Sequence, residues 1–172
     1  MKISEIIKLW ENDKKLYVKK STYSAYLLLI ENHINPYFAD KEQITEEDVQ
    51  KFVLTELRKG LSQKSIKDII IVLKMILKFA VKQKLLAYNE IEIKFPTVGE
   101  KTDLEVLNKN DHKKIINYLQ ENFTFKNLGI YICLSTGMRI GEICGLLWSD
   151  IDVESGIIKV RRTVQRIYVI DG

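Results

Sequence analysis

A chain of 172 residues is long enough for one ordinary domain or two small ones, and with 46% hydrophobic and 29% charged residues it reads as a folded, soluble protein rather than a disordered or fibrous one. Two cysteines with no CxxC or Cys/His cluster exclude a zinc module, and no apolar run approaches the length of a membrane span. The net charge of +4 is a mild basic bias, compatible with a nucleic-acid partner but too small to require one.

The first helix is predicted over residues 3–16, with Ile3, Ile6, Ile7 and Trp10 on one stripe. Ser21 reads as the N-cap of a helix from Thr22 to Asn32, in which Tyr23, Tyr26, Leu27 and Ile30 recur at helical spacing. His33-Ile34-Asn35-Pro36 should end it, because the residue before a proline avoids helical geometry. Thr45 and Asp48 form a near capping box for a third helix that stops at Gly60. Ser62 caps the longest helix, residues 63–84. Its core stripe is Ile66, Ile69, Ile70, Leu73, Leu77, Ala80 and Val81, and Lys67, Lys74, Lys78 and Lys82 line another face. Four helices on short loops predict a compact all-α bundle over residues 1–90.

Residues 91–102, with Pro96, Gly99 and mixed charge, read as an interdomain linker. A second domain is expected over 103–172. Asn108 caps its first helix, with Asp111 at the N3 position and the end near Glu121; further helices are expected at 125–135 and 139–147. The pattern then changes. Asp152 to Gly156 is a turn cluster, and 157–161 and 163–170 are rich in β-branched and aromatic residues, as strands are. Asp171-Gly172 is a hairpin-turn signal with no return strand after it. Cys133 and Cys144 are expected as buried thiols, Trp10 and Trp148 as core aromatics, and His33 and His112 in surface or capping roles. The N-terminus lacks a signal-peptide core, so the expected location is the cytoplasm.

The most informative stretch runs from Leu134 to Leu146. An apolar helix meets Ser135-Thr136-Gly137, a breaker, and a second apolar helix starts with Arg139 in its first turn. A planar five-donor guanidinium there suits bidentate capture of a phosphate. This segment, Thr136-Gly137-Met138-Arg139 with Glu142 and Leu146, closely resembles the first catalytic-arginine motif of tyrosine recombinases, the phage-integrase family. Leu147-Trp148-Ser149-Asp150-Ile151-Asp152 extends the likeness. Earlier matches are Ser21-Thr22-Tyr23, His33-Ile34-Asn35-Pro36-Tyr37-Phe38, Ile44-Thr45, Asp48-Val49, Leu61-Ser62, Phe79-Ala80-Val81 and Asn89, in that order.

The resemblance implies a mainly α protein: an N-terminal four-helix SAM-like, core-binding bundle followed by a truncated α+β catalytic domain, helices first and then a small β-sheet. In that family the two domains clamp duplex DNA, and a tyrosine attacks the scissile phosphate without metal or cofactor. Fixed cationic donors stabilise the transition state, as phosphoryl transfer requires. Only Arg139 matches a catalytic position, with Glu142 expected to hold it. Lys159 lies too early on the strand region to be the family's lysine. Neither His-x-x-Arg nor a tyrosine at the nucleophile position is present, so the chain is expected to be a fragment: a deliberately cut piece or a truncated gene product.

The implied partner is double-stranded DNA at an attachment or core site, with other recombinase protomers joining the full-length protein and no membrane. Candidate DNA-binding residues are Ser21, Thr22, Ser62, Lys64, Lys67, Lys74, Lys78, Arg161 and Arg162, with Arg166 nearby. A lysine stripe is ordinarily a solvated face, and Ser21, Thr22 and Ser62 are helix starts first; the resemblance makes them phosphate contacts as well. The fragment should bind DNA without cutting it. The alternative is a naturally truncated regulatory DNA-binding protein without strand-transfer activity.

Overall fold

The computed structural model describes residues 1–87, 91–96 and 106–169. It divides into two compact units, Met1–Gly99 with Ile167–Gly172, and Glu100–Arg166. The fold is mainly α with one two-stranded sheet.

The first unit is built from α1 (Ile3–Lys14), α2 (Lys20–Leu29), a π-helical turn (Ile30–Ile34), α3 (Asn35–Phe38), α4 (Glu46–Arg58) and α5 (Gln63–Lys82). Local chemistry explains most of the boundaries. The Thr45 hydroxyl accepts from the Asp48 N–H at 3.2 Å and the Thr45 N–H donates to the Asp48 carboxylate at 3.0 Å, which closes a capping box. Lys41 approaches the same carboxylate at 2.8 Å. That hydrogen bond, helped by the Thr45 backbone, pulls the Asp48 pKa from 3.8 down to about 2. Gly60 takes φ +91, which lets the Leu61 N–H return to the Glu56 carbonyl and end α4. Ser62 then caps α5 through the Ser65 N–H at 3.1 Å.

Two expectations fail here. Ser21 is not a cap: the Tyr23 N–H reaches the Lys19 carbonyl at 3.0 Å, so α2 starts two residues earlier and Ser21 lies inside its first turn. Pro36 does not end the helix either. The Asn35 N–H bonds back to the Ile30 carbonyl, five residues away, and Asn35 itself is helical at φ −55, ψ −46. This wider π turn moves the preceding carbonyls off the path of the proline ring, so α3 continues through it.

The core of this unit is continuous. Ile3, Ile6, Ile7 and Trp10 from α1 meet Ile30, Ile34 and Phe38, then Val49, Phe52 and Val53 of α4 and Ile66, Ile69, Ile70, Val72, Leu73, Ile76 and Ala80 of α5. Burying each large side chain is worth about 1.5–3 kcal/mol. One carboxylate shares this interior. Glu56 is 3% exposed and accepts from the Tyr37 hydroxyl at 2.7 Å, Lys59 at 3.0 Å and His33 Nδ1 at 3.3 Å. Burial alone would raise its pKa; the donors, Tyr37 first, overcome that and hold it below the ordinary value.

Residues 91–96 have no helix or strand and lie along α4 and α5. Ile91 joins the core, while the Gln50 amide bonds both the carbonyl (2.9 Å) and the N–H (3.0 Å) of Lys94. Gln63 donates to the Pro96 carbonyl at 2.6 Å, and Glu46 accepts from the Glu92 N–H at 3.1 Å. The remainder of the linker expectation, 97–102, lies outside the described residues, as do 170–172.

The second unit contains α6 (Lys109–Glu121), α7 (Phe125–Thr136), α8 (Ile140–Ile143), and strands β1 (Ile151–Asp152) and β2 (Ile157–Ile158), paired antiparallel with Ile151 opposite Ile158. Asn108 caps α6 through the Asp111 N–H at 2.9 Å, and Thr124 caps α7 through the Asn127 N–H at 3.1 Å. The helix expected over 139–147 is a single turn, followed by a 3-10 turn at Trp148–Asp150. The strands are also shorter than expected, because among the described residues a ladder partner exists only for Ile157 and Ile158. Beyond them, single bonds guide the chain: the Lys159 N–H to the Asp150 carbonyl and the Val164 N–H to the Gly141 carbonyl, both 2.8 Å. Tyr168 is likewise not in a strand; its carbonyl accepts from the buried Ser24 hydroxyl within the first unit. Trp148 is 86% exposed rather than a core residue, and neither cysteine is buried: Cys144 is exposed and Cys133 half-buried, its thiol donating to the Met138 carbonyl at 3.3 Å.

Candidate functional site

The site begins where α7 stops. Gly137 takes the left-handed conformation, φ +71, and its N–H bonds to the Cys133 carbonyl at 2.9 Å. The Thr136 hydroxyl donates to the Ile132 carbonyl at 2.6 Å and accepts from the Met138 N–H at 3.2 Å. This fixed turn delivers Arg139 as the N-cap of α8, at φ −71 and ψ 146. Its N–H donates to one Glu142 oxygen at 2.9 Å and its guanidinium to the other at 3.3 Å. The Arg139 backbone bond, ahead of the guanidinium contact, holds the Glu142 carboxyl below its ordinary pKa.

Arg139 therefore sits one position outside the helix, and a single-turn helix carries little macrodipole. What remains is the guanidinium itself, 87% exposed and oriented by a carboxylate, with most of its donor fork open to an incoming oxyanion.

Behind α8 the chain is pinned by close approach and by a buried charge. A Cβ on Gly141 would meet the Thr163 hydroxyl at 2.6 Å and the Val164 carbonyl at 2.9 Å; one on Gly145 would meet the Arg162 carbonyl at 2.9 Å. Only glycine lets residues 162–164 lie so near. Asp150 is 2% exposed. It accepts from the Leu147 N–H at 3.0 Å and from both arms of the Arg162 guanidinium, at 2.6 and 3.3 Å. The Leu147 N–H, then Arg162, pull its pKa down against the opposing effect of burial. Arg162 also donates to the Gly145 carbonyl at 3.1 Å, and Arg161 stands 3.7 Å from Asp150. Sequence reasoning gave Asp150 no role. The signal was available, since Leu147 to Asp150 has the N-cap-to-N3 spacing of an acidic cap.

Two family models match this chain. The one described as "Phage integrase, N-terminal SAM-like domain" covers residues 2–56, and the one described as "Phage integrase family" covers residues 105–169, the stretch that holds Arg139. The chain belongs to the phage-integrase family.

Among curated relatives, a tyrosine recombinase XerC-like protein of Caldanaerobacter subterraneus is 29% identical over 167 residues, covering 90% of this chain and 42% of the relative. The ICEBs1 integrase of Bacillus subtilis is 30% identical over 139 residues, covering 78% of this chain and 37% of the relative. The chain thus spans about two fifths of these relatives. A solved Tn1549 transposon integrase in complex with a circular intermediate DNA matches 96% of this chain and 54% of its own, with TM-score 0.78 at 22% identity. A lambda integrase tetramer bound to a Holliday junction matches with TM-score 0.71 at 20% identity, over 89% of this chain and 44% of its own. These two share the fold.

Seen as parts of an integrase, the remaining candidates divide sharply. Arg162 is a structural arginine, spent on Asp150, and Arg161 leans the same way while staying 57% exposed. On α5, Lys74 donates to the Ile91 carbonyl at 2.9 Å and Lys67 lies 5.1 Å over the Phe95 ring. Lys64 and Lys78 are exposed. Ser62 is engaged in capping, while Ser21 and Thr22 are half-buried in the first turn of α2. The structure brings Arg139 to Glu142 and commits Arg162 to Asp150; Lys67 and Lys74 stay exposed beside their contacts with Phe95 and the Ile91 carbonyl. Among the described residues no helix is long and apolar enough to cross a membrane, and no group of three or more His, Cys, Asp or Glu is placed to hold a metal.

Proposed function

We propose that this chain is the DNA-gripping portion of a site-specific tyrosine recombinase: residues 1–90 act as the core-binding domain on duplex DNA, and the 103–172 region carries Arg139 to the scissile phosphate. In this reading Glu142 is a positioning residue that aims the guanidinium. The observation that carries it is the exposed, carboxylate-oriented Arg139 at the glycine-ended turn, inside the stretch matched by the integrase family model. The solved Tn1549 integrase, of the same fold, is in complex with DNA. Other protomers would join on that DNA. With no residue at the family's nucleophile position, the 172-residue chain binds an attachment-site duplex but forms no covalent link to it.

The test is a labelled attachment-site duplex from the parent element. Retention on a native gel, falling steeply as salt rises, is expected, with no adduct surviving denaturation. Arg139→Ala should weaken binding less than about tenfold on intact duplex, since one phosphate contact accounts for a slope change of about 0.9. An adduct, or binding indifferent to salt, would overturn the proposal. A second reading, a regulator that occupies sites without cutting, is favoured by the self-contained core of the first unit; it predicts that added chain blocks an active recombinase at the same site.

A further inference from the structure

We infer that the junction of α1 and α2, from the last residue of one to the first of the other, Lys14-Lys15-Leu16-Tyr17-Val18-Lys19-Lys20, is the main phosphate-gripping element of the first unit, ahead of the lysine face of α5. The inference rests on the DNA-binding reading above and adds where the affinity resides.

Four lysines fall within seven residues with no acid among them; Asp13 is the one flanking carboxylate. Three other lysines of the unit are paired with carboxylates: Lys2 with Asp40, Lys41 with Asp48 and Lys59 with Glu56. Among the described residues none of the four loop lysines takes part in an ion pair. Lys14 stands 6.0 Å over the Trp10 ring, a contact that leaves its charge uncancelled, as does that of Lys67 over Phe95. Lys15, Lys19 and Lys20 are exposed. Uncompensated like charges in one loop repel one another and oppose folding, a cost that a polyanion removes. On α5, by contrast, Lys64, Lys67, Lys74 and Lys78 are spread over fifteen residues, with Asp68 among them.

The first half of the stretch is also held in place. Its backbone is tied back by Lys15 N–H to the Glu11 carbonyl (3.0 Å), Leu16 N–H to Asp13 (3.2 Å) and Tyr17 N–H to Lys14 (3.0 Å). Leu16 and Tyr17 project outward between the lysines, 76% and 74% exposed. A phenol flanked by ammonium groups suits a phosphodiester: the ring packs on deoxyribose and the hydroxyl donates to a phosphate oxygen. A preorganised loop loses less side-chain and backbone freedom on binding than a mobile one.

Two triple variants decide the matter: Lys15→Gln/Lys19→Gln/Lys20→Gln on the loop, and Lys64→Gln/Lys67→Gln/Lys78→Gln on α5. Duplex affinity is measured from low to high salt, with circular dichroism to check folding. The loop variant should keep the helical spectrum, lose about 2–3 from the slope of log K against log salt, and bind about a hundredfold more weakly at 0.1 M salt; the α5 variant should lose less than about 1 from the slope. A loop variant that binds as the parent does, or an α5 variant that loses as much, overturns the assignment while leaving DNA binding intact. A parent chain that binds no duplex overturns both. Loss of binding to phosphatidylserine vesicles in the loop variant, with duplex binding unchanged, would give the loop to a lipid surface and also overturn it.

Discussion

The two units are ordered by different forces. The first encloses nineteen of the buried hydrophobic side chains of the described residues; the second contributes Leu119 alone. In the first, apolar stripes at helical spacing interlock across α1, α4 and α5, and polar groups such as Glu56 enter only with every oxygen bonded. In the second, the turns around Arg139 are set by caps, by two glycines under a crossing strand of chain, and by one charged pin at Asp150. Tyr118, Phe123, Phe125, Ile140 and Trp148 are all left more than half exposed. A deep core tolerates surface change and punishes cavities; a polar scaffold does the reverse.

The sharpest way to break this contrast is a cavity in the first unit. Phe52→Ala should cost about 3–5 kcal/mol and unfold the unit in a thermal melt. A loss under about 1 kcal/mol would mean that the stripe is not the source of its stability. Next comes Gly145→Ala, where the new methyl meets the Arg162 carbonyl at 2.9 Å. About 1–3 kcal/mol of overpacking is expected, confined to the second unit, with faster hydrogen exchange at Val164 and none of the change at Ile66.

The smallest effect concerns Asp48. Its folded pKa, about 2, lies below the ordinary 3.8, so its contribution is fully present above pH 3.8 and disappears as pH falls through about 2. Asp48→Asn should therefore destabilise the first unit by about 1 kcal/mol at pH 7, with the difference closing near pH 2 in paired urea melts. A gap that persists at pH 2 would assign the loss to capping geometry rather than charge.

What the sequence made legible follows the same division. Caps at Thr45, Ser62 and Asn108 and the stop at Gly60 were readable because both partners lie within a few residues. The SAM-like bundle and the arginine motif were readable for that reason and from family likeness. Apart from the local misreadings at Ser21 and Pro36, the failures involve partners distant in sequence or the choice of which side faces solvent. Strands over 163–170 needed a ladder that the described residues do not supply. Trp148 is apolar, yet nothing in its neighbours says which side of a turn faces solvent. The contacts of Lys74 and Lys67 with residues 91–96 were likewise invisible, although both lysines stay exposed as a stripe should. Arg162 looked like a surface cation because its carboxylate lies twelve residues earlier, at Asp150.

The π turn before Pro36 acts on angular phase. Ile30, Ile34 and Phe38 repeat every four residues, and around an ordinary helix of 3.6 residues per turn two such steps drift by about 80°. The wider turn absorbs part of that drift, so all three side chains remain at 0–1% exposure on one face. The segment behaves as if one surplus residue had been stored inside a helix at no loss of inward register. Two rigid pieces, α2 and α3, are thereby set at a fixed rotation about a shared axis, and a single-residue deletion between them would rewind the rod and turn Phe38 away from Phe52.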